Sequence, residues 1–306
     1  VLFLRFLPDY GVGTALKWGV FHSVSAFCNA GFDLFGQLQP GASVMPFQND
    51  PVVLLTLSAL IAVGGLGFFV WEEVVRLHSF KKFSVYTKLV LLATAVLILS
   101  GTLFTLVFEW NNPATLGPMS VGEKLLNGFF QSVTLRTAGF AAVDQALLTD
   151  SGKAVSMVLM FIGGSSGSTA GGLKTVTFVV LVLFILARIR GKHHVTVFRR
   201  TVPTEKVTDA MTLTSVMFLL ALFGGIFICA TSPVGLTNGM FESVSALATV
   251  GLTAGVTPLL SLPAKLLIIV FMYFGRVGVL TLSLGFLSGD KAQERFRYAT
   301  TNLLIG

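Results

Sequence analysis

Three stretches of this chain place hydroxyl side chains and a glycine at matching positions. They are "FHSVSAFCNAGFD" from Phe21, "FQSVTLRTAGFAA" from Phe130 and "FESVSALATVGLTAG" from Phe241. Each reads F-x-S-V-S/T, then a short variable stretch, then N/T-A/V-G-F/L. The middle copy is one residue shorter between its serine and its glycine. The glycines, Gly31, Gly139 and Gly251, lie 108 and 112 residues apart. These residue types suit one chemistry: stripping water from a cation and replacing it with backbone carbonyl oxygens. Glycine permits dihedrals that line carbonyls up without a Cβ clash, and nearby hydroxyls can satisfy backbone groups. A single copy would read as an interfacial turn. Three copies at near-constant spacing argue for one repeated structural unit.

The elements that position these segments are apolar. The chain of 306 residues is 54% hydrophobic and 11% charged, against about a quarter charged in soluble domains. Apolar runs at 51–70, 89–108, 176–187, 211–230 and 265–287 reach or approach the roughly 20 residues that cross a bilayer. The sequence therefore predicts an all-α polytopic membrane protein. The repeated segments are about a dozen residues long, too short to cross, so they must be re-entrant or interfacial. Non-helical backbone at membrane depth survives only inside protein or along an aqueous cavity. A short helix followed by an extended glycine-bearing strand, flanked by spans and repeated, is the arrangement of a pore filter.

Charge follows topology. The net +7 concentrates at Arg76, Lys81, Lys82 and Lys88, at Arg188, Arg190, Lys192, Arg199, Arg200 and Lys206, and at Lys291, Arg295 and Arg297. The positive-inside rule puts these linkers and the C-terminal tail in the cytoplasm and the pore segments on the extracellular side. Basic residues placed this way give no reason to expect a nucleic-acid partner. Cys28 and Cys229 show no ligand spacing and read as packing residues.

One further stretch interrupts a span: "MFIGGSSGSTAGGLKT", from Met160 to Thr175. "GGSSG" formally matches a nucleophile elbow, but that motif needs a preceding strand and Asp/His partners, whereas His22, His78, His193 and His194 lie elsewhere in the topology. "GSTAGGLKT" is one residue off a phosphate-binding loop. The stretch is read as an irregular loop on the cytoplasmic side of the second visible filter, where it would act as a gate, so no enzymatic activity is expected. Arg276 sits within an apolar span and needs polar partners there. Lys174 raises the same question, although it could snorkel. Arg136 reads as a donor supporting the filter. Glu72, Glu73, Glu109 and Glu242 show no metal-ligand spacing, and Glu242 suits either outer electrostatics or plain hydrogen bonding.

On these motifs, with "FGRVGVLTLSLG" and the terminal "LLIG", the whole chain resembles the Trk/Ktr/HKT superfamily of potassium transporters, and within it the membrane subunit of bacterial Ktr systems. The resemblance implies four helix–pore loop–helix units around a pseudo-fourfold pore. Three pore loops are visible, and stepping back about one repeat of 110 residues from Gly31 puts a first filter glycine ahead of Val1. The units would run 1–77 (the second, its first helix truncated), 78–195 (the third, its second helix broken) and 196–289 (the fourth), with a cytoplasmic tail at 290–306. The implied filter residues are Cys28, Asn29, Ala30, Gly31 and Phe32; Thr137, Ala138, Gly139 and Phe140; and Ala248, Thr249, Val250, Gly251 and Leu252. The implied gate comprises Gly163, Gly164, Ser165, Ser166, Gly167, Ser168, Thr169, Ala170, Gly171 and Gly172, with Lys174 and Arg276. Glycine in every filter favours potassium as the transported ion, with sodium a candidate activator. No cofactor is expected in the chain. A homodimer in the bacterial plasma membrane, docked on a cytosolic nucleotide-binding regulatory ring, completes the implication.

Overall fold

A computed structural model describes residues 1–277; the rest of the final apolar run and the basic tail lie outside the described residues. The described residues form ten α-helices of 10 to 28 residues. They are α1 (Leu2–Phe27), α2 (Pro51–Leu66), α3 (Phe68–Leu77), α4 (Val85–Glu109), α5 (Val121–Thr134), α6 (Asp150–Phe161), α7 (Thr175–Ile189), α8 (Thr204–Thr231), α9 (Leu236–Leu247) and α10 (Leu262–Val277). A two-residue hairpin, β1 (Thr196–Val197) with β2 (Arg200–Thr201), sits between α7 and α8.

Helix α1 is two limbs. Gly11, at φ 72° and ψ 168°, breaks it, and the limb after the break folds back along the one before. Gly19 makes this possible, because a Cβ there would lie 2.9 Å from the Phe3 backbone nitrogen. The limbs are closed by an aromatic cluster of Phe6, Tyr10, Trp18, Phe35 and Phe47, with the Tyr10 and Trp18 rings 4.7 Å apart. The same order then recurs: α4 packs on the short α5, and α8 on the short α9.

Helices α4 and α8 are long and apolar enough to cross a membrane. Their apolar side chains point outward as well as inward: Val96, Leu99, Leu103 and Val107 on α4 are exposed, as a helix facing lipid requires. The run at 51–70, read from the sequence as one span, is bent by 98° between α2 and α3. Gly67 makes the bend at φ 89° and ψ 151°, a region open in practice only to glycine.

Local sequence explains the helix starts. Asp50 caps α2 by accepting from the Val52 and Val53 amides, with Pro51 at the first helical position. Ser120 and Glu123 form a capping box on α5, and hydrogen bonds from Ser120 hold the Glu123 carboxyl below the usual carboxylate range. Thr149 caps α6.

Candidate ion filter and the loop beneath it

The short elements α5, α9 and the second limb of α1 each end in an extended strand carrying the filter glycine. The three strands share a backbone pattern. Asn29, Thr137 and Thr249 have φ of 50°, 69° and 55°, and Gly31, Gly139 and Gly251 have φ of 69°, 88° and 87°. Each strand thus carries two residues at positive φ, two apart, with one between them that is not. The missing residue of the middle copy comes out of the end of the helix, since α5 runs two residues past its first motif serine, Ser132, whereas α1 and α9 run four past Ser23 and Ser243. Helix α5 ends five residues before its glycine, while α1 and α9 end four before theirs. The strand itself is unchanged.

Each strand hangs from its own short helix. The amides of Ala30 and Val250 donate to the Ser25 and Ser245 carbonyls at 2.9 and 2.8 Å, and the amides of Ala138 and Gly139 donate to the Thr134 carbonyl. The Ser25 and Thr134 hydroxyls donate to the Phe32 and Phe140 carbonyls, both at 2.7 Å. The first serine of the motif works in the other direction: Ser132 and Ser243 donate to the Ile98 and Ala221 carbonyls on the preceding long helix.

The strands converge. A Cβ on Gly31 would strike the Ala138 carbonyl oxygen, and one on Gly139 would strike the Val250 carbonyl oxygen, whereas one on Gly251 would meet nothing within 4 Å. Glycine is therefore required twice over at Gly31 and Gly139, by dihedral and by crowding, and by dihedral alone at Gly251. All three open onto one cavity of about 370 Å³ whose wall includes the carboxyl-bearing residues Asp33 and Asp144.

On the other face of the strands lies the loop at 162–174. Its neck is zipped: the Gly163 amide donates to the Leu173 carbonyl at 2.9 Å, the Leu173 amide to Phe161 and the Thr175 amide to Gly164. Its excursion is pinned to distant segments. The Ser165 amide and hydroxyl donate to Gly65, and that hydroxyl also to Leu66. The Phe68 amide donates to the Gly167 carbonyl at 3.1 Å, and the Tyr86 hydroxyl to Ser166 at 2.9 Å. The Thr169 hydroxyl donates to the Phe27 carbonyl at 3.0 Å and accepts from Asn29 Nδ2 at 2.9 Å. A Cβ on Gly171 would collide with Thr249. The loop thus touches filter residues of the first and third visible strands.

Three cations meet this loop. Arg276 donates to the Thr169 carbonyl at 2.5 Å, and Lys174 Nζ to the Ala170 carbonyl at 2.8 Å. Lys174 does not snorkel, because the loop curls over and gives its ammonium an internal acceptor. Arg136, adjacent to filter residue Thr137, is buried and turns to the loop's neck, donating to the Gly163 carbonyl at 3.4 Å and the Thr175 hydroxyl at 3.2 Å. The sequence reading made Arg136 a filter-supporting donor; its contacts are with the loop. Cys28, expected to pack, is exposed, since it begins the strand where the chain leaves the packed helix, and Cys229 is half-buried; both are free. Glu109 is buried as the acceptor of four donors, from Asn112, Thr115 and the Thr149 amide and hydroxyl.

Of the residues between the phenylalanine and serine of each repeat, the sequence reading weighed only Glu242, for outer electrostatics or plain hydrogen bonding, and did not connect it with its counterparts. His22, Gln131 and Glu242 are all buried and hydrogen-bonded. The signal was present, for this nominally variable position is polar in every copy.

The chain matches the family model for cation transport proteins, TrkH, over residues 2–294. It is 39% identical to the potassium/sodium uptake protein NtpJ of Enterococcus hirae, covering 98% of this chain and 66% of that one. It is 43% identical to the Ktr system potassium uptake protein B of Vibrio alginolyticus, covering 91% and 61%, and 38% identical to the protein of that name in Bacillus subtilis, covering 97% and 65%. The chain thus spans a little under two thirds of the length of these relatives. Its fold is that of the potassium transporter TrkH from Vibrio parahaemolyticus, whose crystal structure superposes with a TM-score of 0.68 at 19% identity over 94% of this chain and 68% of that one.

Proposed function

The chain belongs to the TrkH family of cation transport proteins, and from that premise we propose that it is the membrane subunit of a potassium uptake system, passing potassium through the three strands at Gly31, Gly139 and Gly251. One observation carries the reading. The strands repeat the same pair of left-handed residues, converge on one another and open onto a shared cavity walled by two carboxylates. Carbonyls arranged so can replace an ion's hydration shell. The names of the relatives, potassium uptake and potassium/sodium uptake proteins, describe the same class of work.

The finer reading follows. The three units and a fourth of the same kind surround one pore in pseudo-fourfold order, with the filters extracellular and the basic linkers cytoplasmic. The loop at 162–174 is the gate, because it abuts filter residues from below and is held there by Arg276 and Lys174. Two copies pair in the plasma membrane, and a cytosolic ring of nucleotide-binding subunits docks on the basic linkers and tail. Sodium acts as activator or as a second permeant ion, a reading favoured by the potassium/sodium name of one relative.

The test is expression of the full-length protein in bacterial cells lacking their own potassium uptake. Growth at low external potassium, with sodium present and absent, is the expected result. Protein present in the membrane without rescue in either medium overturns the proposal.

A further inference from the structure

His22, Gln131 and Glu242 occupy the same place in their repeats, and each is tied to chain lying just beyond its own filter. They are 0%, 1% and 5% exposed. His22 Nδ1 lies 2.7 Å from the Trp18 carbonyl, and its Nε2 accepts from the Leu34 amide at 3.1 Å. Those partners require the neutral ring with its proton on Nδ1, and the ring stacks on Phe35 at 4.0 Å. Gln131 and Gln145 exchange two amide hydrogen bonds, at 2.6 and 3.2 Å, while Gln145 also donates to the Val143 carbonyl. Glu242 accepts from the Thr253 hydroxyl, from the Ala254 amide at 3.2 Å and from the Thr257 hydroxyl at 3.1 Å.

Three different side chains thus do one job. Each leaves the middle of the short helix and fastens the segment that follows the filter glycine, so the strand between is held at both ends. The fastening is not equally shared. The first two visible units add a second tie, the Ser25 and Thr134 hydroxyls on the carbonyl after the glycine. Among the described residues Ser245 makes no such bond to Leu252, and no neighbouring strand crowds Gly251. The outer end of this last strand therefore depends on Glu242.

We propose that this position is the positioning residue of each filter, and that Glu242 sets the geometry of the Gly251 strand, and with it ion discrimination, through its hydrogen bonds and not its charge. The proposal rests on the potassium-uptake reading above. The repeat itself contains the argument against charge, since a neutral glutamine serves at the equivalent place. A glutamine at 242 can keep the network whole. Its amide oxygen accepts from Thr253 and Ala254, its Nε2 donates to Thr257, and Thr257 already lies 2.8 Å from the Thr253 hydroxyl to which it can donate.

The experiment compares initial potassium and sodium uptake by wild-type full-length protein, Glu242→Gln, Glu242→Ala and the double variant Thr253→Val with Thr257→Val, each normalised to its amount in the membrane fraction. Glu242→Gln is expected to keep the wild-type potassium-to-sodium ratio within about twofold. Glu242→Ala is expected to lower it by about tenfold or more, on the scale of losing three hydrogen bonds at once. The valine pair removes two donors at nearly constant volume and should reproduce the loss, so the answer stands even if the alanine variant fails to reach the membrane. Equal loss in Glu242→Gln and Glu242→Ala would make the charge responsible and overturn the proposal. An unchanged ratio in the valine pair would overturn it too. A wild-type protein that moves neither ion defeats the uptake reading itself, and the selectivity role of Glu242 with it.

Discussion

The filter strands and the loop at 162–174 are both glycine-rich, non-helical and enclosed by helices, yet they are held in opposite ways. Each filter strand is fastened by its own repeat: Ser25 to Phe32, Thr134 to Phe140, Glu242 to Ala254. The excursion of the loop is fastened by residues of other units, with Thr169 on Phe27, Ser165 on Gly65 and Arg276 on Thr169. Bonds within a repeat form whenever that repeat folds, and they change little when the units move relative to one another. Bonds between units depend on how the units are placed. On the proposed reading the strands, whose carbonyl spacing must not vary, are built the first way, and the loop, which must move, is built the second.

Damage inside a strand should therefore be severe and affect selectivity, whereas damage to the loop should affect rate and control. The largest effect is expected from Gly139→Ala. It forces a Cβ into the Val250 carbonyl oxygen at φ 88°, where backbone strain alone is worth roughly 1–3 kcal/mol. Potassium uptake by that variant should fall to background. Gly251→Ala meets only the strain, so it should retain measurable uptake; equal loss in the two would remove the distinction between crowded and open strands. Gly251→Ser carries the same strain plus a hydroxyl at the filter, and sodium uptake relative to potassium should rise.

Next in size is deletion of residues 164–172. The zipped neck between Gly163 and Leu173 gives the shortened chain a place to close, so the expected outcome is normal membrane insertion with raised potassium flux and weakened control by the proposed cytosolic partner. A folded deletion variant with unchanged flux would reduce the loop to a tolerated helix break. Arg276→Gln should move flux in the same direction by less, because among the described residues it removes one bond, to the Thr169 carbonyl, a charged hydrogen bond of the order of 1.5–3 kcal/mol.

The smallest effect on transport is expected from Thr149→Ala, which lies in neither region. It removes the cap on α6 and two contacts of the buried Glu109 are reduced to one. A stability loss of about 1–2 kcal/mol should follow, read as a lower melting temperature in detergent with the ion ratio unchanged. A shift in that ratio would mean that the supports of α6 reach the filter as well.

The two regions were also unequally legible. The strands were found by alignment of the chain with itself, and Gly31, Gly139 and Gly251 fell at equivalent positive-φ positions because a repeated local sequence makes repeated local bonds. The role of the residue after each phenylalanine escaped the same alignment. Its identity changes from His to Gln to Glu, and its partners sit at different distances down the chain. The loop was visible as a composition anomaly, but its partners were not. Nothing in "GGSSGSTAGG" says that Ser165 reaches Gly65 or that Arg136 turns from the filter to the neck. The bend at Gly67 escaped for a related reason. Apolarity continues smoothly through 51–70, and the bend accompanies the loop, whose Gly167 carbonyl takes the Phe68 amide and whose Ser166 carbonyl oxygen would lie 2.8 Å from a Cβ on Gly67.

The sequence by itself determined an apolar, helical, membrane-type chain, three repeated segments with matching glycines and one interrupted helix, because composition, periodicity and glycine's dihedral freedom act over a few residues at a time. Only the tertiary structure decided which strand crowds which, where α1 folds back, which cation holds which carbonyl and which buried side chain fastens each strand. Those outcomes depend on backbone atoms from segments tens of residues apart meeting within a few ångströms, and no local pattern records such a meeting.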